Sequence, residues 1–321
     1  MLQKPRKIIL NKRYFILVEL IFDYLLRLIL ASTKTDISAI IHPISPLNYT
    51  PVIAQTDNSQ KFQNIKQFAI ANNFHQRPMS EIMQAIAEQL LGSTYKAGLL
   101  DKSSHEKLVI SLEEFDCVLF VETVLALSRS IAVQDYSFQT FSDRASELRY
   151  RNGNMDGYCS RLHYFSEWIL DNQRRGIVQS VAQYMGGRPL NKNVNFMSSH
   201  WQSYPQITSS EANYHCIAAM EKNIGKIDIE YIPINRIDKA YSKLQSGDII
   251  AIATAVSGLD TTHTGLVYRL QNGNIGLIHA SPSGSVRISS ELQYFVANVE
   301  DAIGIMVARP IDPRKQSGKI R

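Results

Sequence analysis

Cysteine is scarce in this 321-residue chain: Cys117, Cys159 and Cys216 lie far apart, with no C-x-x-C spacing. That excludes a disulfide framework and a zinc quartet, and an odd count leaves at least one thiol outside any disulfide. There is no H-E-x-x-H and no histidine pair at i,i+4, so a zinc-dependent hydrolase has no visible ligand set. Charged residues make up only 20%, and glycine (16) and proline (11) are few, which excludes a disordered or collagen-like chain. The longest apolar run, 14–31, is broken by Glu19, Asp23 and Arg27, so a polytopic membrane protein is excluded as well. What remains is 45% hydrophobic with a mean hydropathy of -0.14, the composition of a soluble globular protein of one large or two modest domains.

The net charge of +5 belongs to the ends. Lys4, Arg6, Lys7, Lys12 and Arg13 open the chain without an acidic residue among them, and Arg314, Lys315, Lys319 and Arg321 close it. The body between is slightly acidic, so the pI near 9.0 is no nucleic-acid footprint.

Behind the basic leader, Glu19, Asp23 and Arg27 are four apart and form one stripe of a helix. A cleavable signal has a shorter, uncharged apolar region. Residues 1–31 therefore read equally as a signal, as an interfacial helix touching a membrane surface, or as a translation start assigned too early. Residues 33–62, rich in Pro, Ser, Thr and Asn, read as a linker or loosely attached arm.

From Ser80, Ile82, Ile86, Leu90 and Leu91 share one face of a helix ending at Gly92. A second, almost wholly apolar helix is expected over 113–128, and a third over 164–173. After Gly247-Asp248 come three short β-branched runs, 249–254, 262–270 and 275–280, separated by Gly and Asn. Helices first and antiparallel strands later give an α+β class.

Two places in this pattern suit chemistry. Asp116 is suited to cap the second helix, which puts Cys117 in its first turn, where the helix dipole and free N–H groups favour a thiolate. The plain alternative is a buried core cysteine. Glu122, on the same helix, has the bland role of satisfying a buried neighbour. A cysteine hydrolase also needs a histidine base and a group to orient it. His263 and His279 fall on adjacent strands of one hairpin. A three-residue loop 271–273 pairs Leu270 with Asn274, sets His279 opposite Gly265, and makes the two histidines diagonal neighbours on one face. A side chain at Gly265 would crowd the imidazole. A two-residue turn would put the histidines on opposite faces. His200 and His215, set among aromatics, read as pocket or core residues.

Several stretches carry a resemblance in order along the chain: 91–98 (Leu-Gly-Ser-Thr-Tyr-Lys-Ala-Gly), Phe115-Asp116-Cys117, Gly247-Asp248, His263-Thr264-Gly265 and Ile278-His279-Ala280-Ser281. They resemble the NlpC-type papain-like cell-wall cysteine hydrolases. Phe120-Val121-Glu122, Arg149-Tyr150, Gly153, 160–164 (Ser-Arg-Leu-His-Tyr), Trp168, Asp171-Asn172 and Gly258-Leu259-Asp260 narrow it to their N-acetylmuramoyl-L-alanine amidase-like branch, over about 82–310.

The resemblance implies a papain-like α+β domain over 60–313, its antiparallel sheet packed on a Cys-bearing helix, with a helical and loop insertion at about 129–240. Residues 1–59 would be leader and linker, and 314–321 a basic tail. It implies Cys117 as nucleophile, His263 as base, His279 as orienting residue and Tyr95 as a hydroxyl reaching the centre, without metal or cofactor. Leu119 departs from the small polar residue this branch implies, and the leader departs from a clean envelope signal. The substrate would be peptidoglycan fragments, small 1,6-anhydro muropeptides above intact wall, cut between N-acetylmuramic acid and L-alanine. The alternatives are a D-glutamyl–diaminopimelate endopeptidase and a non-catalytic peptidoglycan-binding module. Aromatic Tyr150, Tyr158, Tyr164 and Trp168 with His163 and Ser281 would line the substrate, and Arg149 and Arg161 would take its carboxylates bidentately. The competing reading is that these residues hold a loop-rich segment together. The envelope or periplasm is the expected place, with the cytoplasm as the alternative.

Overall fold

The computed structural model describes residues 52–53 and 57–315, so the basic leader, the apolar run 14–31 and the end of the basic tail lie outside the described residues. Helix α1 (Asp57–Ala71) begins inside the stretch expected to be linker. Its Phe62, Ile65 and Ala69 recur at helical spacing and are buried, which draws it onto the core. Helix α2 (Met79–Glu88) buries Ile82, Met83 and Ile86, as its periodicity requires.

Helix α3 (Cys117–Ala132) starts later than its apolar run suggests. Glu114 and Phe115 instead form a short strand, and Asp116 then caps α3 by accepting the Leu119 N–H at 2.7 Å. Everything from Leu119 to Ala132 is buried, so α3 is a central helix, apolar almost all round.

The strands, in chain order, are β1 (Val52–Ile53), β2 (Thr94–Tyr95), β3 (Val109–Ile110), β4 (Glu114–Phe115), β5 (Val178–Ser180), β6 (Arg188–Pro189), β7 (Glu230–Pro233), β8 (Ile249–Thr254), β9 (Thr261–Arg269), β10 (Ile275–Ser281), β11 (Ser285–Ser289) and β12 (Ala302–Pro310). Among the described residues ten of them make one mainly antiparallel sheet in the order β4-β2-β11-β10-β9-β8-β12-β7-β6, with β5 also on β12, while β1 and β3 pair separately. The expected helical insertion is therefore partly a sheet element, since β5, β6 and β7 extend the sheet beyond β12. Helices α4 (Phe138–Arg149) and α5 (Phe165–Arg174) precede β5, α6 (Phe196–Ser199), α7 (Pro205–Thr208) and α8 (Glu211–Ile224) lie between β6 and β7, α9 (Ile237–Ala240) follows β7, and α10 (Leu292–Ala297) follows β11. The chain is thus mixed α+β.

Two cores flank the sheet. One gathers α1 to α5 with Ala251, Leu266, Ile278 and Ala280, and the other gathers α9 and α10 with Ile252, Val267, Leu277 and Ile305. Successive strand residues enter alternate cores, as the two-residue period demands.

Cys159 and Cys216, 57 positions apart in sequence, form a disulfide with Cα atoms 6.3 Å apart. Their sequence spacing does not indicate this pairing. The fold brings the turn at Tyr158–Ser160 against α8, and the bridge fixes that contact.

Candidate functional site

The β9–β10 register is the one the odd loop requires, with Arg269 opposite Ile275 and Leu266 opposite Ile278. The Leu270 N–H donates to Asn274 O, and Gly273 takes the left-handed turn position. The ladder pairs stop at Leu266–Ile278, just before the histidines. There the imidazoles meet, His263 Nε2 lying 2.7 Å from His279 Nδ1. Gly265 makes the approach possible, because a Cβ on it would lie 2.8 Å from His279 Cβ and 2.9 Å from Ile278 O.

Both rings are buried, and the Phe295 ring of α10 stands 4.7 Å from that of His279. Burial, and then the neighbouring imidazole, lowers the pKa of His263 to about 3. Burial and the nearby Arg287 lower that of His279 to about 4. At neutral pH the pair is uncharged, and each ring carries one N–H. On its outer side His279 Nε2 lies 3.1 Å from Ser289 Oγ. With Nε2 engaged by His279, Nδ1 is the His263 nitrogen left to exchange a proton with another group.

Cys117 opens α3 and takes no part in a disulfide. It follows β4, whose Phe115 pairs with Tyr95 of β2, and the Tyr95 N–H donates to Gly284 O in the β10–β11 turn. The end of β10 is thereby linked through β11 and β2 to the start of the helix. The histidines lie on the α10 face of the sheet, and the alternate residues Leu266, Ile278 and Ala280 meet the body of α3. Burial, offset in part by the Leu119 N–H, raises the Asp116 carboxyl to about 6. Leu119 itself is fully buried in the α3 core, which accounts for its apolar character.

Most of the insertion residues expected to line a substrate stand elsewhere. Arg149 is 2% exposed, donates from Nε to Glu122 at 2.8 Å and from Nη1 to Val109 O at 2.7 Å, and so has no face toward a cleft. Trp168 is 1% exposed and its Nε1–H donates to the other Glu122 oxygen at 3.2 Å. Tyr150 is wholly buried and donates to Glu106. Arg161 pairs with Asp101 at 2.7 Å and lies 3.5 Å from Glu106. Buried Tyr164 donates to Glu221 and accepts from the Met197 N–H. The Nε2–H of His163 donates to Tyr158 O, and burial together with Arg161 holds its pKa well below the usual range. For Arg149, Tyr150, Tyr164 and Trp168 the reading as a substrate surface is corrected: their polar atoms are used inside the protein. The Ser281 hydroxyl meets Ser283 at 2.8 Å in the turn beside the histidines.

The Gly258-Leu259-Asp260 motif is also a brace. Asp260 accepts the Ser166 N–H at 2.8 Å, so a distant carboxylate caps α5, whose own N-cap residue, Tyr164, makes no side-chain capping bond. Gly258 is at φ 77°, and a Cβ there would sit 2.7 Å from Asn195 Oδ1. Sequence reasoning missed Ser289 and Phe295, although the Ser281–Ser285 turn and the two-residue period carry Ser289 to the histidine face.

No group of three or more His, Cys, Asp or Glu among the described residues is placed to hold a metal ion. Residues 85–305 match the AmiA-like, N-acetylmuramoyl-L-alanine amidase-like family model. A crystal structure named an N-acetylmuramoyl-L-alanine amidase, from Bacteroides uniformis ATCC 8492, superposes with a TM-score of 0.69 at 32% identity, over 73% of this chain and 99% of that one. A Bacteroides fragilis protein provisionally named a xylanase superposes at 0.64 and 30% identity, over 70% and 99% of the two chains. Legionella pneumophila protein LPG0564, 19% identical with a TM-score of 0.60 over 79% and 95%, shares the fold. No curated protein matches the chain.

Proposed function

The chain belongs to the N-acetylmuramoyl-L-alanine amidase-like family, and on that premise we propose that it is a papain-like cysteine amidase acting on peptidoglycan fragments. The observation that carries the reading is the buried, uncharged His263–His279 pair at 2.7 Å, in a chain whose Cys117 opens a central helix. In this mechanism Cys117 gives its proton to His263 Nδ1, and the thiolate attacks the lactyl carbonyl of N-acetylmuramic acid. N–H groups of the first turn of α3 stabilise the oxyanion. The C–N bond breaks, the imidazolium protonates the L-alanine amine, and water then cleaves the thioester. Neutral histidines support this order, because the cation forms only when the thiolate forms beside it.

The preferred substrates are small 1,6-anhydro muropeptides, and Tyr95, Ser281 and His163 are the residues proposed to meet them, whereas Arg161 is held by Asp101 and Glu106. The Cys159–Cys216 disulfide supports an oxidising compartment, hence the envelope. Mass spectrometry of products from a defined anhydro-muropeptide tests the bond. The expected products are free anhydro-sugar and a peptide with a free L-alanine amino terminus. Diaminopimelate with a free amino group and a sugar still carrying L-alanyl-D-glutamate would select the endopeptidase. Reducing ends released from xylan would select a glycosidase, and binding without turnover a non-catalytic module.

A further inference from the structure

The histidine pair has a third member that the mechanism above does not use. His279 Nε2 is 3.1 Å from the Ser289 hydroxyl, on β11 and on the same face of the sheet. Two neutral imidazoles 2.7 Å apart share one proton between Nε2 of His263 and Nδ1 of His279, and it can sit on either side. In one arrangement His263 Nε2–H donates, His279 Nδ1 accepts, and His279 carries its proton on Nε2. In the other, His279 Nδ1–H donates and His263 holds its own proton on Nδ1. Only the first leaves His263 Nδ1 bare to receive a proton. It is also the only one that survives once His263 becomes an imidazolium, since two N–H groups would otherwise face each other.

We propose that Ser289 is a positioning residue that selects the productive arrangement, its hydroxyl accepting the Nε2–H of His279 so that the Nδ1 lone pair of His279 faces His263. The inference rests on the reading of Cys117 and His263 as nucleophile and base. The surroundings favour the same arrangement. Arg287 stands opposite His279 in the β10–β11 ladder and disfavours a second proton on that ring, so a charge formed on the pair stays on His263, and the Phe295 ring packs against His279. The hydroxyl could also donate to a bare Nε2. Without it the productive tautomer buries an unpaired N–H, which costs more than the unpaired lone pair left by the other, so the unproductive tautomer gains by comparison.

The test compares Ser289→Thr, which keeps a hydroxyl, with the isosteric Ser289→Val, which does not. Long-range nitrogen–proton correlation spectra of histidine-labelled resting protein report the tautomers directly, with assignments from His263→Gln and His279→Gln. The wild type and Ser289→Thr should show His279 protonated on Nε2 and His263 bare on Nδ1, whereas Ser289→Val should populate His279 protonated on Nδ1. On the anhydro-muropeptide, Ser289→Val should lower kcat about tenfold at unchanged KM, with Ser289→Thr recovering most of it. A wild-type His279 protonated on Nδ1 overturns the proposal, and so does a Ser289→Val protein with wild-type tautomers and wild-type kcat. The tautomer measurement needs no turnover. If Cys117→Ala retains activity, the nucleophile reading fails on its own, independently of the result for Ser289.

Discussion

Two regions of this molecule bury polar side chains, and they treat them in opposite ways. In the segment from Arg149 to Asp171, charges meet charges: Arg149 with Glu122, Arg161 with Asp101 and Glu106, Arg175 with Asp171. Each of the first two guanidiniums keeps one buried nitrogen without a partner. In the β9–β10 hairpin the two histidines are buried without any counter-ion, uncharged and hydrogen-bonded in a line to Ser289. The first arrangement locks a loop-rich segment in place, and the second leaves a ring nitrogen ready to change its protonation. A cluster of Arg, Tyr and Trp is thus weak grounds for a binding surface until its hydrogen bonds are accounted for.

The sharpest break of this comparison is chemical. Cys117→Ala should lower turnover by at least about a thousandfold while leaving thermal unfolding almost unchanged. The reverse pattern belongs to the other region. Glu122→Ala leaves Arg149 buried without its carboxylate and removes the acceptor of Trp168, and should cost about 3–5 kcal/mol in denaturant titration. A change confined to KM would instead restore Arg149 to a substrate role. Replacing both disulfide cysteines by serine should cost about 2–4 kcal/mol, given the 57-residue separation, with kcat altered less than stability.

The smallest effect concerns pH. The folded-state pKa of His279, about 4, lies below the value near 6.5 of an unfolded histidine. Between these pH values the unfolded chain binds a proton that the folded one refuses, so stability falls as the pH is lowered through that window. His279→Gln removes this contribution, and its stability should decline less on acidification, by about 2–3 kcal/mol across the window. Buried carboxyls such as Asp116, raised to about 6, act in the opposite sense, but they are common to both chains. Equal acid sensitivity in the two proteins would show that the ring is not kept neutral by burial.

How legible each region was in the sequence follows from the same contrast. The hairpin obeys local rules: an odd loop at Asn272-Gly273 fixes the register, and the register fixes which residues face each other. Asp116 as cap is equally local. Helix α3 began later than expected because Glu114 and Phe115 were drawn into a parallel pairing with Thr94 and Tyr95, which local composition does not encode. The Cys159–Cys216 bridge, the capping of α5 by Asp260 from 94 residues away, and the partners of Arg149 depend on contacts that only the assembled fold makes. The face of the sheet on which α3 packs was not contained in the hairpin register either, since that register relates two strands to each other and not to a helix.

The proposed mechanism places an acyl group on Cys117 during turnover, and the identity of that group tests it most directly. Intact-protein and peptide mass spectrometry of enzyme quenched in acid during reaction with a 1,6-anhydro muropeptide measures this. The predicted result is an adduct on Cys117 with the mass of the anhydro-muramoyl group, lost in Cys117→Ala. An adduct containing stem-peptide residues, or full turnover by Cys117→Ala, would contradict it.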